Sequence, residues 1–165
     1  MPVSTAEYLA GMRRLAAGVT IVTTRHQGVP AGLTATSVCS LTAEPPRLVA
    51  CINRDTDTHA LIRASGIFAV NLLTQAHRDL ADHFGGRTDA FGPARFALAA
   101  WTTAVTGAPL LLDAAASFDC RLVQAISAGT HSIFIGEVEA VLARDEAEEL
   151  VYHDRGYAAL ARGDG

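Results

Sequence analysis

Apolar positions along this chain recur mostly with the two-residue period of β-strands. Phe118, Cys120 and Leu122 alternate with Asp119 and Arg121, which predicts a strand with one buried and one polar face. Stretches rich in apolar and β-branched residues predict further strands over residues 19–24, 48–52, 68–73 and 133–142. The 48–52 strand is expected to be buried on both faces. A turn at residues 127–130 joins two of the predicted strands as a hairpin.

Helical patterns are shorter and occur in three places. Ser4 and Glu7 have the spacing of a capping box, which predicts a first helix that continues until Gly18. The apolar face of this helix carries Tyr8, Leu9, Met12 and Leu15. Thr58 is the predicted N-cap of a second helix through residue 64. Residues 75–84 predict a third helix with one apolar stripe.

The order of these elements favours a mainly β fold with short helices. Regular crossover helices do not separate the predicted strands, which argues for an antiparallel sheet closed into a barrel and against a parallel α/β sheet. Neither a repeat nor a linker divides the sequence, so residues 1–165 are predicted to form a single domain.

Composition and charge exclude several classes of function. The net charge is −4 and the basic residues are scattered, so nucleic-acid binding is not expected. No apolar run approaches the roughly 20 residues that span a bilayer, and charged residues interrupt the N-terminus too early for a signal peptide. The sequence has an odd number of cysteines, and all three are widely spaced in apolar surroundings: Cys39, Cys51 and Cys120. Buried free thiols in a reducing cytoplasm are the expectation.

Residues 32–41 stand out because they are small, rich in hydroxyl groups and uncharged. Such a segment suits either a tightly packed internal strand or a backbone that a flat ligand approaches closely. Composition leaves both interpretations open. Two further polar clusters, at residues 53–59 and 129–132, also follow or precede predicted strands. Each is ordinary turn chemistry unless the three converge, in which case they line a pocket for a phosphorylated ligand.

Familiar catalytic motifs are absent from the sequence. It contains no G-x-G-x-x-G after a strand, no P-loop, no G-x-S-x-G elbow and no C-x-x-C pair. The six histidines lack the spacing of metal ligands, so no metal site is predicted.

Seven short motifs follow one another between about residue 12 and residue 160. They include G-V-T-x-V-T-T at 18–24, G-x-T-A-x-S at 32–37, Pro45-Pro46, F-x-V-N-x-L at 68–73, G-x-P-L at 107–110 and G-x-H-x-I-F-I-G-E-V at 129–138. In this order they resemble the short-chain flavin reductase family. The resemblance implies an antiparallel split β-barrel of the FMN-binding type that forms a homodimer.

The resemblance also implies a binding site. Flavin would lie against the 34–37 segment, whose backbone amides meet the ring, with its phosphate on Ser40 or Ser37 and the 53–59 connection. The implied cofactor-binding residues are Thr34, Ala35, Thr36, Ser37, Ser40, Cys51, Ile52, Asn53, Arg54, Thr58, His59, Phe84, Gly85, His131, Tyr152 and Arg155. Thr36 departs from many relatives, which carry Asn there.

His131 is the implied catalytic residue, because an imidazole beside the groove can orient a nicotinamide by its carboxamide. A turn histidine with a satisfied N–H would leave the same sequence pattern. Arg54 is equally compatible with a solvated surface position and Phe84 with plain core. Tyr152 and Arg155 are equally compatible with a dimer contact.

The activity that the resemblance implies is an NAD(P)H:flavin oxidoreductase. Hydride would pass from NADH or NADPH to FMN or FAD, and the reduced flavin would go to a partner flavin-dependent monooxygenase. Two different functions fit the same motifs: a flavin carrier of the same fold, and a bound-flavin reductase of another acceptor such as a ferric complex.

Overall fold

A seven-stranded antiparallel sheet dominates the computed structural model, which describes residues 2–160. The strands are β1 Ala17–Gly18, β2 Thr20–His26, β3 Val29–Ala35, β4 Val38–Ala43, β5 Pro46–Asn53, β6 Ile67–Leu72, β7 Trp101–Thr102, β8 Leu110–Leu111, β9 Ala116–Ala128, β10 His131–Ala143, β11 Leu150–His153 and β12 Gly156–Ala159. The helices are α1 Thr5–Met12, α2 Asp57–Ser65 and α3 Arg78–Phe84, with short 3₁₀ turns at Gln75–His77 and Gly92–Leu98.

The large sheet has the strand order β3-β2-β6-β9-β10-β5-β4, and every pair in it is antiparallel. The predicted mainly β, antiparallel fold with short helices is therefore confirmed. Gln27 and Gly28 join β2 to β3 with positive φ angles of 49° and 82°, as a two-residue hairpin turn requires. Small sheets β1-β11-β12 and β7-β8 complete the fold.

Two apolar clusters hold the sheet. One contains Ile52, Ile62, Phe68 and Phe134 and lies where α2 packs on the sheet. The other contains Val19, Ile21, Leu73, Phe84 and Leu150, and brings α3 and β11 against β2. The sheet is thus covered by different elements in different places, and the groove described below opens between them.

Two predictions about strand burial are wrong. In β5 only alternate residues, Leu48, Ala50 and Ile52, are buried, because the opposite face lines a groove. Asp119 was expected on a polar face, but it is fully buried. Its carboxylate accepts hydrogen bonds from the Thr106 amide, at 2.8 Å, and from the Thr106 hydroxyl, so a covering loop satisfies the charge.

The first helix has the predicted capping box, with the Glu7 amide donating to Ser4 Oγ at 3.2 Å and the Ser4 amide to Glu7 Oε2 at 2.9 Å. It ends at Met12 and not at Gly18, because Gly18 already belongs to the β1–β11 ladder. Its apolar face is not buried: Tyr8 is 56% exposed and Leu9 47%.

The second helix begins earlier in the chain than predicted. Thr56 and not Thr58 is the N-cap, since Thr56 Oγ1 accepts from the His59 amide at 3.2 Å. The third predicted helix starts as a 3₁₀ turn at Gln75–His77 and becomes α-helical only at Arg78.

All three cysteines are free, but only Cys120 is buried; Cys51 is half-buried and Cys39 exposed. Burial raises the pKa of the Cys120 thiol to about 12. Gly136 lies directly against Cys120: a Cβ added to this glycine would be only 2.9 Å from Cys120 Cβ, so no larger residue fits without a shift. Among residues 2–160 no helix is long and apolar enough to cross a membrane.

Candidate functional site

A groove of about 570 Å³, here called the main groove, brings the three polar clusters together. Its walls come from β3 and the chain after it, the ends of β5 and β10, the first turn of α2, and the segment that follows α3. It is lined by Ala31, Gly32, Leu33, Thr34, Ala35, Thr36, Ser37, Cys51, Asn53, Thr56, Asp57, Thr58, Phe84, Gly85, Gly86, Phe91, Gly92, Arg95 and His131. Ten of the residues implied by the resemblance are in this set.

The small-residue segment both packs and lines the groove. Gly32 lies against Phe84, where a Cβ would come within 2.9 Å of the ring carbon Cε1. The Thr34 hydroxyl donates to the Ala81 carbonyl of α3 at 2.7 Å. Thr36 and Ser37 lie between β3 and β4, outside the ladder. Within the described part of the chain their backbone amides donate to no protein acceptor, so these two amides are available to a ligand.

The ends of β5 and β10 form the next wall. His131 pairs with Asn53 across the two strands, which places both polar residues at one end of the groove, beside Cys51. The His131 ring shares a hydrogen bond with its neighbour, with Nδ1 2.9 Å from Thr130 Oγ1. That contact engages one ring nitrogen, and Nε2 has no partner among residues 2–160.

The first turn of α2 contributes Thr56, Asp57 and Thr58. The N-terminus of this nine-residue helix carries partial positive charge, which favours an anionic group nearby. Only Thr58 belonged to the predicted site residues. The capping position of Thr56, three residues before His59, is the sequence signal that would have identified the others.

The segment after α3 closes the groove on its remaining side. Phe84 is held by Phe96 and Trp101, with ring centroids 5.2 and 5.7 Å away. Arg95 Nε donates to the Ala90 carbonyl at 2.8 Å, across the tip that carries Phe91. Phe91 and Arg95 were not among the predicted site residues. Phe91 is 69% exposed, so it does not serve the core.

A side compartment of about 220 Å³ opens next to the main groove. The two share Thr34, Ala35, Thr36 and Gly85, here called the shared wall. The compartment's other lining residues are Val19, Ala81, Arg87, Tyr152 and Tyr157. Tyr152 was predicted as a cofactor-binding residue, and the structure places it here and not in the main groove.

Charged and aromatic groups are bonded together in the side compartment. Arg87 and Tyr157 both bond Asp82 Oδ1, at 3.0 and 2.8 Å. The Arg87 guanidinium lies 5.9 Å from the ring centroids of Tyr152 and Tyr157. Burial and the Asp82 carboxylate raise the pKa of the Tyr157 phenol to about 12, so it is a neutral hydroxyl there.

The structure does not bring five predicted residues into the lining of either compartment. Ser40 lies exposed on β4, Arg155 lies exposed in the β11–β12 turn, and Ile52 is fully buried in the core. Arg54 donates to the Gly129 carbonyl at 3.3 Å. His59 is only 8% exposed and lies behind the groove wall.

The chemistry of the groove is that of hydroxyls, amides and one imidazole. Residues 2–160 contain no group of three or more His, Cys, Asp or Glu side chains that could hold a metal ion. Such a lining can bind and orient a flat polar molecule, and it places Thr36, Ser37 and His131 on one cavity.

Comparison with known proteins places this groove in a family. Residues 12–161 match the flavin reductase like domain. A protein from Stutzerimonas stutzeri named FMN reductase (NADH) RutF is 48% identical over 97% of this chain and 91% of its own length. One of the same name from Variovorax paradoxus is 45% identical over 94% of this chain and 86% of its own length.

Solved structures agree with this match. BorF, the flavin reductase component of a bacterial two-component tryptophan halogenase, superposes with a TM-score of 0.88 at 30% identity, covering 97% of this chain and 100% of BorF. The flavin reductase PheA2 gives 0.88 at 27% identity, with coverage of 97% and 100%. Since the match runs through every element that lines the main groove, this chain belongs to the flavin reductase like domain family.

Proposed function

We propose that this chain is an NADH-dependent FMN reductase: NADH, FMN and a proton give NAD⁺ and reduced FMN, which then serves a separate flavin-dependent monooxygenase. The observation that carries the proposal is the meeting of the two unpartnered amides of Thr36 and Ser37 with His131 in one groove. Relatives at 48% and 45% identity bear the name FMN reductase (NADH), which supports this choice of flavin and nicotinamide.

The residues present fit a flavin mononucleotide. The main groove, at about 570 Å³, lies within the roughly 300–1,000 Å³ of small-molecule sites. Two unpartnered amides suit the polar edge of the ring, and small residues leave its plane unobstructed. When bound, the flavin supplies the hydride acceptor, so the protein needs no acid–base pair for the hydride step.

Each wall then has one task. The Thr36 and Ser37 amides donate to the polar edge of the ring, where negative charge develops on reduction. Asn53 at the end of β5, with Thr56 and Thr58 at the start of α2, holds the phosphate through a side-chain amide, hydroxyls and the positive helix end. His131 Nε2 hydrogen-bonds the carboxamide of the nicotinamide and so orients the carbon that donates hydride.

We also propose that the sheet closes into a split barrel. Strands β3 and β4 are the two edges of a seven-stranded sheet, yet only Thr36 and Ser37 separate them in the chain. In a flat sheet those edges would be about 29 Å apart, at roughly 4.8 Å per strand, whereas such a connection spans about 10 Å. Closure therefore forms the β3–β4 junction that offers its amides to the flavin.

The proposed assembly is a homodimer of a single domain over residues 1–165. The apolar face of α1 supports it, since Tyr8, Leu9 and Met12 are 56%, 47% and 44% exposed and need a cover. The free thiols fit the reducing cytoplasm, where we expect the protein to work.

Oxidation of NADH by the purified protein tests the activity. NADH oxidation followed at the nicotinamide absorbance band should depend on added FMN, and NADPH should be the poorer donor. His131→Ala should raise the KM for NADH on the order of tenfold while FMN affinity stays nearly unchanged. The absence of FMN-dependent oxidation of either nicotinamide would overturn the proposed function, and an unchanged KM would overturn the role of His131.

A further inference from the structure

A buried contact behind the main groove joins α2 to β10. His59 Nε2 and Ser132 Oγ lie 2.9 Å apart and share a hydrogen bond. Both side chains are withdrawn from solvent, His59 being 8% and Ser132 1% exposed. Because unmade polar contacts are costly in such surroundings, this bond holds its two elements together more firmly than a surface contact does.

The surroundings keep the His59 ring in one orientation. It stacks on Phe134, with ring centroids 5.0 Å apart and planes 24° from parallel. Burial, and secondarily the positive charges of Arg63 and Arg54, lower the pKa of His59. The ring is therefore neutral at neutral pH and is suited to a single hydrogen bond with a hydroxyl.

The His59–Ser132 bond closes a ring of contacts around the end of the groove. Thr56 Oγ1 donates to the Asn53 carbonyl at 2.8 Å and accepts from the His59 amide at 3.2 Å. Asn53 in turn pairs with His131 across β5 and β10. Together these contacts connect the first turn of α2, which lines the groove, to the end of β10 that carries His131.

Strand geometry gives Ser132 and His131 opposite surroundings. Successive side chains of a strand point to opposite faces, and accordingly Ser132 is buried while His131 is exposed at the groove. His131 is the first residue of β10, directly after the turn at Gly129 and Thr130. The ladder pairs His131 with Asn53 on one side and Ala128 on the other, but it makes no side-chain contact to α2. The Ser132 hydroxyl, one residue away, supplies that contact through His59.

We propose that His59 is a positioning residue: through Ser132 it fixes His131 relative to the first turn of α2, and thereby sets the distance between the nicotinamide and the flavin phosphate. This inference rests on the proposed function. Misplacement by about 1 Å of a group that orients a reactant is enough to cost up to about 100-fold in rate. His59 thus serves nicotinamide binding without touching the cofactors.

Three variants and a control test the proposal. Ser132→Ala and His59→Leu remove the bond, whereas His59→Gln keeps an amide within reach of the serine hydroxyl. Ser65→Ala is the control, since Ser65 Oγ bonds Thr24 Oγ1 at 3.0 Å at the far end of the same helix. KM for NADH, kcat, the FMN dissociation constant and the Tm are measured for each, together with the ring C–H resonances of His131.

We expect Ser132→Ala and His59→Leu to raise the KM for NADH on the order of tenfold, with a smaller change in kcat and FMN affinity. Their His131 resonances should shift or broaden. His59→Gln should keep the KM close to that of the unsubstituted protein. A double variant that combines Ser132→Ala with His59→Leu should have a KM no higher than the poorer single variant, because both substitutions remove the same contact. Ser65→Ala should lower the Tm and leave the KM unchanged.

Two results would overturn the inference. One is an unchanged KM together with unchanged His131 resonances in Ser132→Ala, which needs only the loss of a hydroxyl and should fold. The other is a rise in the KM for NADH that parallels the fall in Tm in every variant, including the control Ser65→Ala. If the unsubstituted protein does not oxidise NADH with FMN, the proposed function fails instead, and the His131 resonances still decide whether His59 positions that ring.

Discussion

Gly32→Ala tests the packing of Gly32 against Phe84, two residues that line the main groove. The added Cβ would lie 2.9 and 3.1 Å from Cε1 and Cδ1 of Phe84, and 3.2 Å from Thr23 Cγ2. The closest of these contacts is about half an ångström short of ordinary van der Waals separation. Phe84 cannot simply turn away, because Phe96 and Trp101 lie on its other sides at 5.2 and 5.7 Å.

The expected cost is that of overpacking a closed core, about 1–3 kcal/mol in the free energy of unfolding. For a domain of this length that corresponds to a fall in Tm of roughly 3–10 °C. Because Phe84 also lines the main groove, a displaced ring enters the space proposed for the flavin. FMN affinity should therefore fall along with stability, by about 3- to 10-fold.

Urea unfolding and FMN titration by fluorescence quenching measure the two effects. Gly11→Ala is the matched control: it lies in α1 with nothing within 4 Å of the added Cβ, and should stabilise by about 0.5–1 kcal/mol. Replacing Phe84 by Leu should abolish most of the further cost of Gly32→Ala. A Gly32→Ala protein as stable as the unsubstituted one, with the same FMN affinity, would refute this account of the Gly32–Phe84 contact.

Three more predictions concern stability and pH. Asn71→Ala should destabilise by about 3–5 kcal/mol in urea unfolding, because fully buried Asn71 bonds the Ile21 carbonyl, the Leu111 amide and the Ser117 hydroxyl. A stable variant would contradict this. The raised pKa of Tyr157 favours the neutral phenol in the folded state, so its contribution is complete below pH 10 and is lost as pH rises towards 12. In thermal melts, the Tm of Tyr157→Phe should fall less steeply with rising alkaline pH than the Tm of the unsubstituted protein. An equally steep fall would exclude the Tyr157 phenol as a source of the pH dependence. Bonds from the Ser4 side chain and amide lower the pKa of Glu7, so α1 should lose protection in amide exchange as pH falls below its ordinary 4.5, and Glu7→Gln should remove that dependence.

The strand pattern of the sequence predicted the sheet because pleated alternation is a local property of the chain. The hairpin of β9 and β10 follows directly, and with it the position of His131 after a turn. The same alternation held information that the site prediction did not use. Cys51 and Asn53 share one face of β5 and line the groove, whereas Ile52 between them must face the core.

Other parts of the fold, and the side compartment, depend on contacts between distant segments. Asp119 is compatible with a core only because Thr106 covers its carboxylate, and no local pattern reports such a partner. Arg87 and Tyr157 meet through Asp82, although 70 residues separate them. The apolar face of α1 shows the converse limit: the spacing places its apolar residues on one face, but it does not say what covers that face, and no residue of α1 is buried within residues 2–160.

The unpartnered amides of Thr36 and Ser37 have a consequence for mutagenesis and for sequence change. A contact made by the main chain survives replacement of its own side chain, so an alanine scan of this junction should underestimate its importance. Only changes that remove the N–H, such as proline or an ester bond in place of the amide, would delete the contact itself. The edge proposed to bind the flavin ring is therefore free to vary in its side chains while its main-chain chemistry stays the same.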